Sequence, residues 1–406
     1  MGHPSYIFVG RLNKRAIYAA FTRPWGRVSK NASMRTVRVA TFLAAFFVFS
    51  FFASAQTAAG HKTENVIVVM IDGMRWQEVF TGADADLIKT LGPDALGDPK
   101  ERTAAAEKHY WRETADERRQ ALFPFLWSTV ATEGQIFGNR KLGSDSHVIN
   151  GHNFSYPGYS ETLTGVADKR VNSNKNVPNP NATVFEWLNQ KPEFAGRVAA
   201  FGAWNVFEGI FRQGQSGILV NAGYEPLTAI EPTPELALLN QLKAETVRIW
   251  PDEAFDPIPF HTAVEYVKAK RPRVLFLGLG ETDDWAHSGT YAEYLNAAHL
   301  ADGYIQQLWA LVQSMPEYKD KTTLIVLPDH GRGTGKDWTS HGDNLPASRE
   351  TWMAFLGPDT KALGERGKGT EVTESQIAAT IAALLGEDYH AAVPASGTPV
   401  ADVLAK

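Results

Sequence analysis

The chain has 406 residues, no cysteine, a formal charge of -5 at pH 7 and 44% hydrophobic residues. It is long and apolar enough to bury a large core without disulfides, which excludes a disordered chain and a disulfide scaffold. Lys+Arg 40 against Asp+Glu 45 gives no global electrostatic case for a nucleic-acid partner.

The first sixty residues read as an address. Arg35 and Arg38 precede an apolar run from Val39 to Phe52, which closes on Ala53-Ser54-Ala55 before Gln56. A charged start, an apolar stretch short for a membrane span and an A-x-A site form a secretory signal pattern, and Met34 just ahead of it is the expected true start. The expectation is a signal region over residues 1–55, a periplasmic or secreted protein and no stable membrane span. An uncleaved N-terminal anchor is the alternative.

Asn65 to Ile71 reads N-V-I-V-V-M-I, a β-branched run without alternation, as in a strand buried on both faces of a parallel sheet. Similar runs stand at Val198 to Phe201, Val274 to Leu279, Thr323 to Leu327 and Trp352 to Leu356, with helical stretches between them. The alternation predicts an α/β fold with helices on both faces of a mostly parallel sheet. The charged stretch from Asp84 to Arg119 reads as a surface insertion or a solvated helical face. Thr228 to Pro259, punctuated by five prolines, reads as connecting loop with one helix inside. Thr373-Glu374-Ser375-Gln376 has capping-box spacing ahead of the run Ile377 to Leu385, which Gly386 stops. Without an internal repeat or linker, a single domain is expected over residues 60–406.

In such sheets ligands collect at the carboxyl ends of strands, and Asp72, Asp283 and Asp329 each lie at or just past such an end. Ser155, in N-F-S-Y-P-G-Y, is the candidate nucleophile: Pro157 suits a first helical turn, and a helix N-terminus favours both an alkoxide and an anionic substrate. Asp283 and His287 stand one helical turn apart, a spacing at which both reach one ion; a salt-bridged pair explains it equally, and Asp284 is a substitute for Asp283. Asp329 and His330 are adjacent on extended backbone. His341 follows a glycine-rich loop and takes its weight from this company. Oxygen and imidazole donors without a thiolate suit Zn²⁺, with Mn²⁺ chemically acceptable.

This ordered set resembles the alkaline phosphatase superfamily, which includes alkaline phosphatases, nucleotide pyrophosphatase/phosphodiesterases and sulfatases, over nearly all of the chain after the signal region. The stretches N-V-I-V-V-M-I-D-G-M-R-W and T-W-M-A-F-L-G-P add to the likeness. The resemblance implies an alkaline phosphatase-like three-layer sandwich and two divalent metal ions. It assigns one ion to Asp283, His287 and His341 and the other to Asp72, Asp329 and His330, with Ser155 between them. It implies hydrolysis of a small phosphate ester through a covalent phosphoseryl enzyme. Alternatives are a sulfuric ester hydrolase of the same fold and a relative that binds metal or substrate without turnover.

The sulfatase pattern C/S-x-P-x-R has Tyr159 where its arginine would stand. In the phosphodiesterase branch an asparagine follows T-F-P; here Gly158 takes that place, and Asn153 and Asn205 are the candidate substitutes for orienting substrate. Trp204, Phe207 and Phe211 either line a pocket for the second ester substituent or pack in the core. The remaining histidines read as structural or surface residues, with His152 the first exception to consider.

Overall fold

The computed structural model describes residues 62–93 and 97–404; the signal pattern and Met34 lie outside the described residues. The strands are β1 (Asn65–Ile71), β2 (Gln135–Phe137), β3 (Ser144–His147), β4 (Val198–Gly202), β5 (Leu219–Ala222), β6 (Val274–Leu279), β7 (Thr322–Leu327), β8 (Met353–Leu356), β9 (Gly364–Glu365) and β10 (Thr370–Thr373). Eight of them form one sheet in the order β5-β4-β6-β1-β7-β8-β2-β9, and β10 pairs with β3. From β5 to β7 the strands are parallel, whereas β8 runs antiparallel to both its neighbours.

β1 shows why the sheet needs two helical layers. Successive side chains on a strand point to opposite faces, so Ile67, Val69 and Ile71 enter one apolar cluster while Val66, Val68 and Met70 enter another. On the first face lie the helices Trp76–Thr81, Pro257–Lys270 and Tyr291–Ser314; on the second, Ser155–Thr164, Val184–Asn189 and Ile377–Leu384. Each aliphatic side chain so buried contributes about 1.5–3 kcal/mol relative to exposure, which favours covering both faces. This is the α/β architecture expected from the apolar runs.

The boundaries of β4, β7 and β8 differ by one residue from the apolar runs. Trp352 precedes β8 yet is fully buried, its indole N–H donating to the Met74 carbonyl at 3.1 Å. The charged stretch after Asp84 folds into the helices Pro99–Tyr110 and Ala115–Leu122, whose Ala106, Tyr110 and Leu122 join the core. Thr228 to Pro259 contains the helix Pro234–Glu245, and Pro257 opens a second helix rather than closing a loop. Proline's fixed φ and missing N–H suit a first turn, so the same residue signals either. The capping box at Thr373 and Gln376 is formed. No helix among the described residues is long and apolar enough to cross a membrane.

Candidate metal and nucleophile site

Sheet register brings the acidic residues together. β1 lies between β6 and β7, with Ile71 beside Leu279 and Met70 beside Leu327. Asp72 therefore leaves the middle strand as Asp283 and Asp329 leave the chain just beyond its neighbours. Gly73, at φ +58, turns the chain there, and its N–H donates to Asp329 Oδ1 at 3.0 Å.

Asp72 and Asp329 are each half satisfied. Asp72 Oδ2 accepts from the Tyr159 hydroxyl at 3.0 Å, and Asp329 Oδ1 from Gly73. Among the described residues Asp72 Oδ1 and Asp329 Oδ2 are buried without a hydrogen-bond partner, and lie 3.3 and 3.4 Å from His330 Nε2. Burial pushes the Asp329 carboxyl well above the usual range, and the nearby Asp72 charge adds to this. For His330 burial opposes the charged ring, but Asp329 and Asp72 outweigh it and hold the imidazole up to about 9. Two carboxyl oxygens and one imidazole nitrogen converging in this way could hold a divalent cation. His330 Nδ1 faces the Gly331 carbonyl at 2.8 Å, which leaves Nε2 turned toward the two carboxylates.

The second group adjoins the first. Asp283 and His287, on the helix Glu281–His287, lie with His341 so that His287 Nε2 is 3.0 Å from Asp283 Oδ2 and 2.9 Å from His341 Nε2. His341 Nε2 is 3.6 Å from Asp283 Oδ1. Desolvation, reinforced by His330, lowers the pKa of both His287 and His341, favouring the neutral imidazole that binds metal. Donor atoms of Asp72, Asp329 and His330 lie within 4.8 Å of one another, as do those of Asp283, His330 and His341. His330 thus stands between the groups, its ring stacked on His341 with centroids 4.0 Å apart. The donor set and the orphaned oxygens fit divalent ions.

Ser155 opens the helix Ser155–Thr164, whose preceding residue Phe154 supplies no side-chain cap. Its Oγ is 3.4 Å from His330 Nε2. The loop before it is braced from within the helix: Glu161 accepts from the N–H groups of Ile149 and Asn150, and Asn150 Oδ1 accepts from those of His152 and Asn153. Asn153 adopts φ +54, a left-handed conformation that asparagine tolerates, and its backbone lies against His341.

Gly158 has a steric reason. A Cβ there would lie 2.1 Å from the Asp329 carbonyl oxygen, so the asparagine of the phosphodiesterase pattern has no room in this backbone arrangement. Asn205 instead lines a cleft of about 180 Å³ with Glu208, Tyr224, Arg248 and Asp252. Phe207 and Phe211 are core residues, each with its ring centroid within 5.1 Å of that of Phe276, and Trp204 packs edge-on against Phe207. Gly202 and Gly278 leave room for the Phe207 ring. His152 packs on Phe154.

Two supporting residues escaped the sequence reading. Tyr159 holds Asp72, and its ring packs on Phe207 with centroids 4.8 Å apart. Arg332 is buried, pairs with Asp283, and donates to the Trp338 and Thr339 carbonyls at 2.9 and 2.6 Å, which ties the loop carrying His341 to the site. Its place two residues after His330, in D-H-G-R, was the available signal.

An α/β sheet with this strand-end layout has the fold of the alkaline phosphatase superfamily, a superfamily of hydrolases that generally use divalent metals. The chain belongs within it to the type I phosphodiesterase / nucleotide pyrophosphatase family, whose model matches residues 94–385. Among solved structures it is similar to the wild-type alkaline phosphatase PafA, with 9% identity, a TM-score of 0.53 and coverage of 86% of this chain and 100% of that one. The lipoteichoic acid synthase LtaP from Listeria monocytogenes shows 11% identity, a TM-score of 0.47 and coverage of 80% and 72%. No curated protein matches the sequence.

Proposed function

We propose that the protein is an exported, metal-dependent phosphoric ester hydrolase with Ser155 as nucleophile, its hydrolase domain spanning residues 60–406. The observation that carries this reading is the convergence of Asp72 Oδ1, Asp329 Oδ2 and Ser155 Oγ on His330 Nε2, within 3.3 to 3.4 Å. Asp72, Asp329 and His330 would hold one divalent ion, and Asp283, His287 and His341 the other, with Zn²⁺ best suited to the donors. Such ions, when bound, offset charge on the attacking and leaving oxygens of an in-line displacement.

The residues divide the remaining work. Ser155 Oγ, giving up its proton to solvent, attacks phosphorus, forming an ester bond as the bond to the leaving oxygen breaks and that oxygen takes up a proton; water then displaces Oγ from phosphorus, a proton returns to Oγ, and phosphate or a monoester is released. Tyr159 keeps Asp72 turned so that Oδ1 faces His330. Asn153 and Asn205 are proposed to orient the substrate, the latter from its cleft beyond β4. The family match favours a phosphoric over a sulfuric ester, as does Tyr159 in place of the sulfatase arginine.

The test is hydrolysis of p-nitrophenyl phosphate, bis-p-nitrophenyl phosphate and p-nitrophenyl sulfate by metal-reconstituted protein beside Ser155→Ala. The phosphate esters should turn over, and the variant should keep its metal while losing roughly three or more orders of magnitude in kcat. A variant retaining most of its rate removes Ser155 from the role. Absence of turnover with two metals bound supports a non-catalytic relative. Export is tested by N-terminal sequencing of the protein recovered outside the cytoplasm, with cleavage expected after Ala55.

A further inference from the structure

At the end of the sheet remote from the candidate metal site, the residues before the central strands form a charged row. Arg197 precedes β4, Arg273 precedes β6, Glu64 precedes β1 and Lys321 precedes β7. Val198 is in register with Val274, so the arginines stand opposite each other on adjacent parallel strands, and the Arg273 N–H donates to the Arg197 carbonyl at 2.7 Å. Neighbouring strands run about 4.8 Å apart, and like charges in facing positions are destabilising.

Among the described residues the surrounding ionic contacts leave this pair without an acidic partner within ion-pair distance. Lys321 pairs with Glu64 at 3.2 Å, and Arg271 with Glu317 at 2.8 Å. Arg273 donates, among the described residues, only to backbone carbonyls, those of Glu64 at 2.8 Å and Glu193 at 3.5 Å. Among the described residues Arg197 has neither an ion pair nor a side-chain hydrogen bond. Burial, then the Arg197 charge, lower the Arg273 pKa, and Glu64 and Glu193 only partly offset this. Both arginines line a cleft of about 620 Å³ with Glu64, Asn65, Glu317 and Lys321. The length of β6 separates it from Asp283 by roughly 20 Å.

We infer that this cleft is an anion site, in which Arg197 and Arg273 bind a phosphate group, free or pendant on a larger molecule. Guanidinium donors match phosphate oxygens in number and geometry, and a dianion between the two cations relieves their repulsion. The cleft exceeds what a lone phosphate fills, so it admits an attached group. This assignment does not depend on the proposed hydrolysis.

Calorimetric titration of the full chain with inorganic phosphate tests it, before and after chelation of metal. Chelation removes divalent ions from the other site, and dependence on Arg197 assigns any phosphate binding that survives it to this cleft. The expected result is one chelator-resistant site per chain that weakens at least about tenfold in Arg197→Ala and with rising salt. Arg197→Ala removes a side chain with no bond to other described residues, and its circular dichroism and, if it turns over ester, its hydrolytic rate should match wild type. Phosphatidylglycerol and phosphatidylcholine vesicles separate the sources: binding to the former alone, lost in Arg197→Ala, supports the site with a headgroup as its phosphate. Absence of chelator-resistant binding to either probe, or binding unchanged by the substitution, overturns the inference.

Discussion

Tyr159 shows how much a single hydroxyl contributes to the site. Held at 3.0 Å from Asp72 Oδ2, it leaves Oδ1 as the oxygen available to an ion. Tyr159→Phe keeps the ring packing against Phe207 and removes only that bond. Metal affinity should fall about 10–100-fold in a chelator competition, with little change in Tm; unchanged affinity would deny Tyr159 this role. Gly158→Ala acts through sterics, because its new Cβ meets the Asp329 carbonyl at 2.1 Å and the helix or the strand end must shift. Urea unfolding should record a loss of about 1–3 kcal/mol, accompanied by weaker metal binding. The residues with ligand chemistry were legible because Asp, His and Ser stand in short motifs at strand ends. Tyr159 and Arg332 were not, because their bonds to Asp72 and Asp283 join segments far apart in sequence.

The helix Tyr291–Ser314 is tied to the segment before β2 by one buried carboxylate. Asp302 accepts from the Phe125 N–H at 2.7 Å and the Leu126 N–H at 2.8 Å, with 2% of the residue exposed. Asp302→Ala would strand two buried donors, an expected loss of about 2–4 kcal/mol in chemical denaturation. Burial pushes the Asp302 carboxyl up to about 6, against the partial relief of these bonds and His299. The native state therefore holds this proton more tightly than the unfolded chain, whose carboxylate titrates near about 3.9. Its contribution to stability is fully present below that value and falls as pH rises to about 6. Comparing unfolding free energies of wild type and Asp302→Asn over pH 3.5–7 should isolate this slope; identical pH dependence would contradict it. At this scale the five long apolar runs were readable because each is buried on both faces. β2, β3, β5, β9 and β10 were not: two to four residues cannot by themselves establish a period, and the polar S-D-S-H of β3 is a strand only through its pairing with β10.

For the molecule as a whole, an ion that binds only the folded state raises its stability by about 2.7 kcal/mol at a hundredfold excess over Kd. Chelation should therefore lower Tm by several degrees, recoverable with Zn²⁺, and a melt indifferent to chelator would count against the proposed ligand set. The strand order also shapes how the protein folds. Val66, in the first strand, lies between Val274 and Thr323, so the centre of the sheet closes only after most of the chain exists. Pairings so distant in sequence form slowly, and until they form the bare N-V-I-V-V-M-I segment is free to meet the same segment of another molecule. Refolding yield should drop steeply with protein concentration, and in a cell this strand needs shelter from its own copies until its partners arrive.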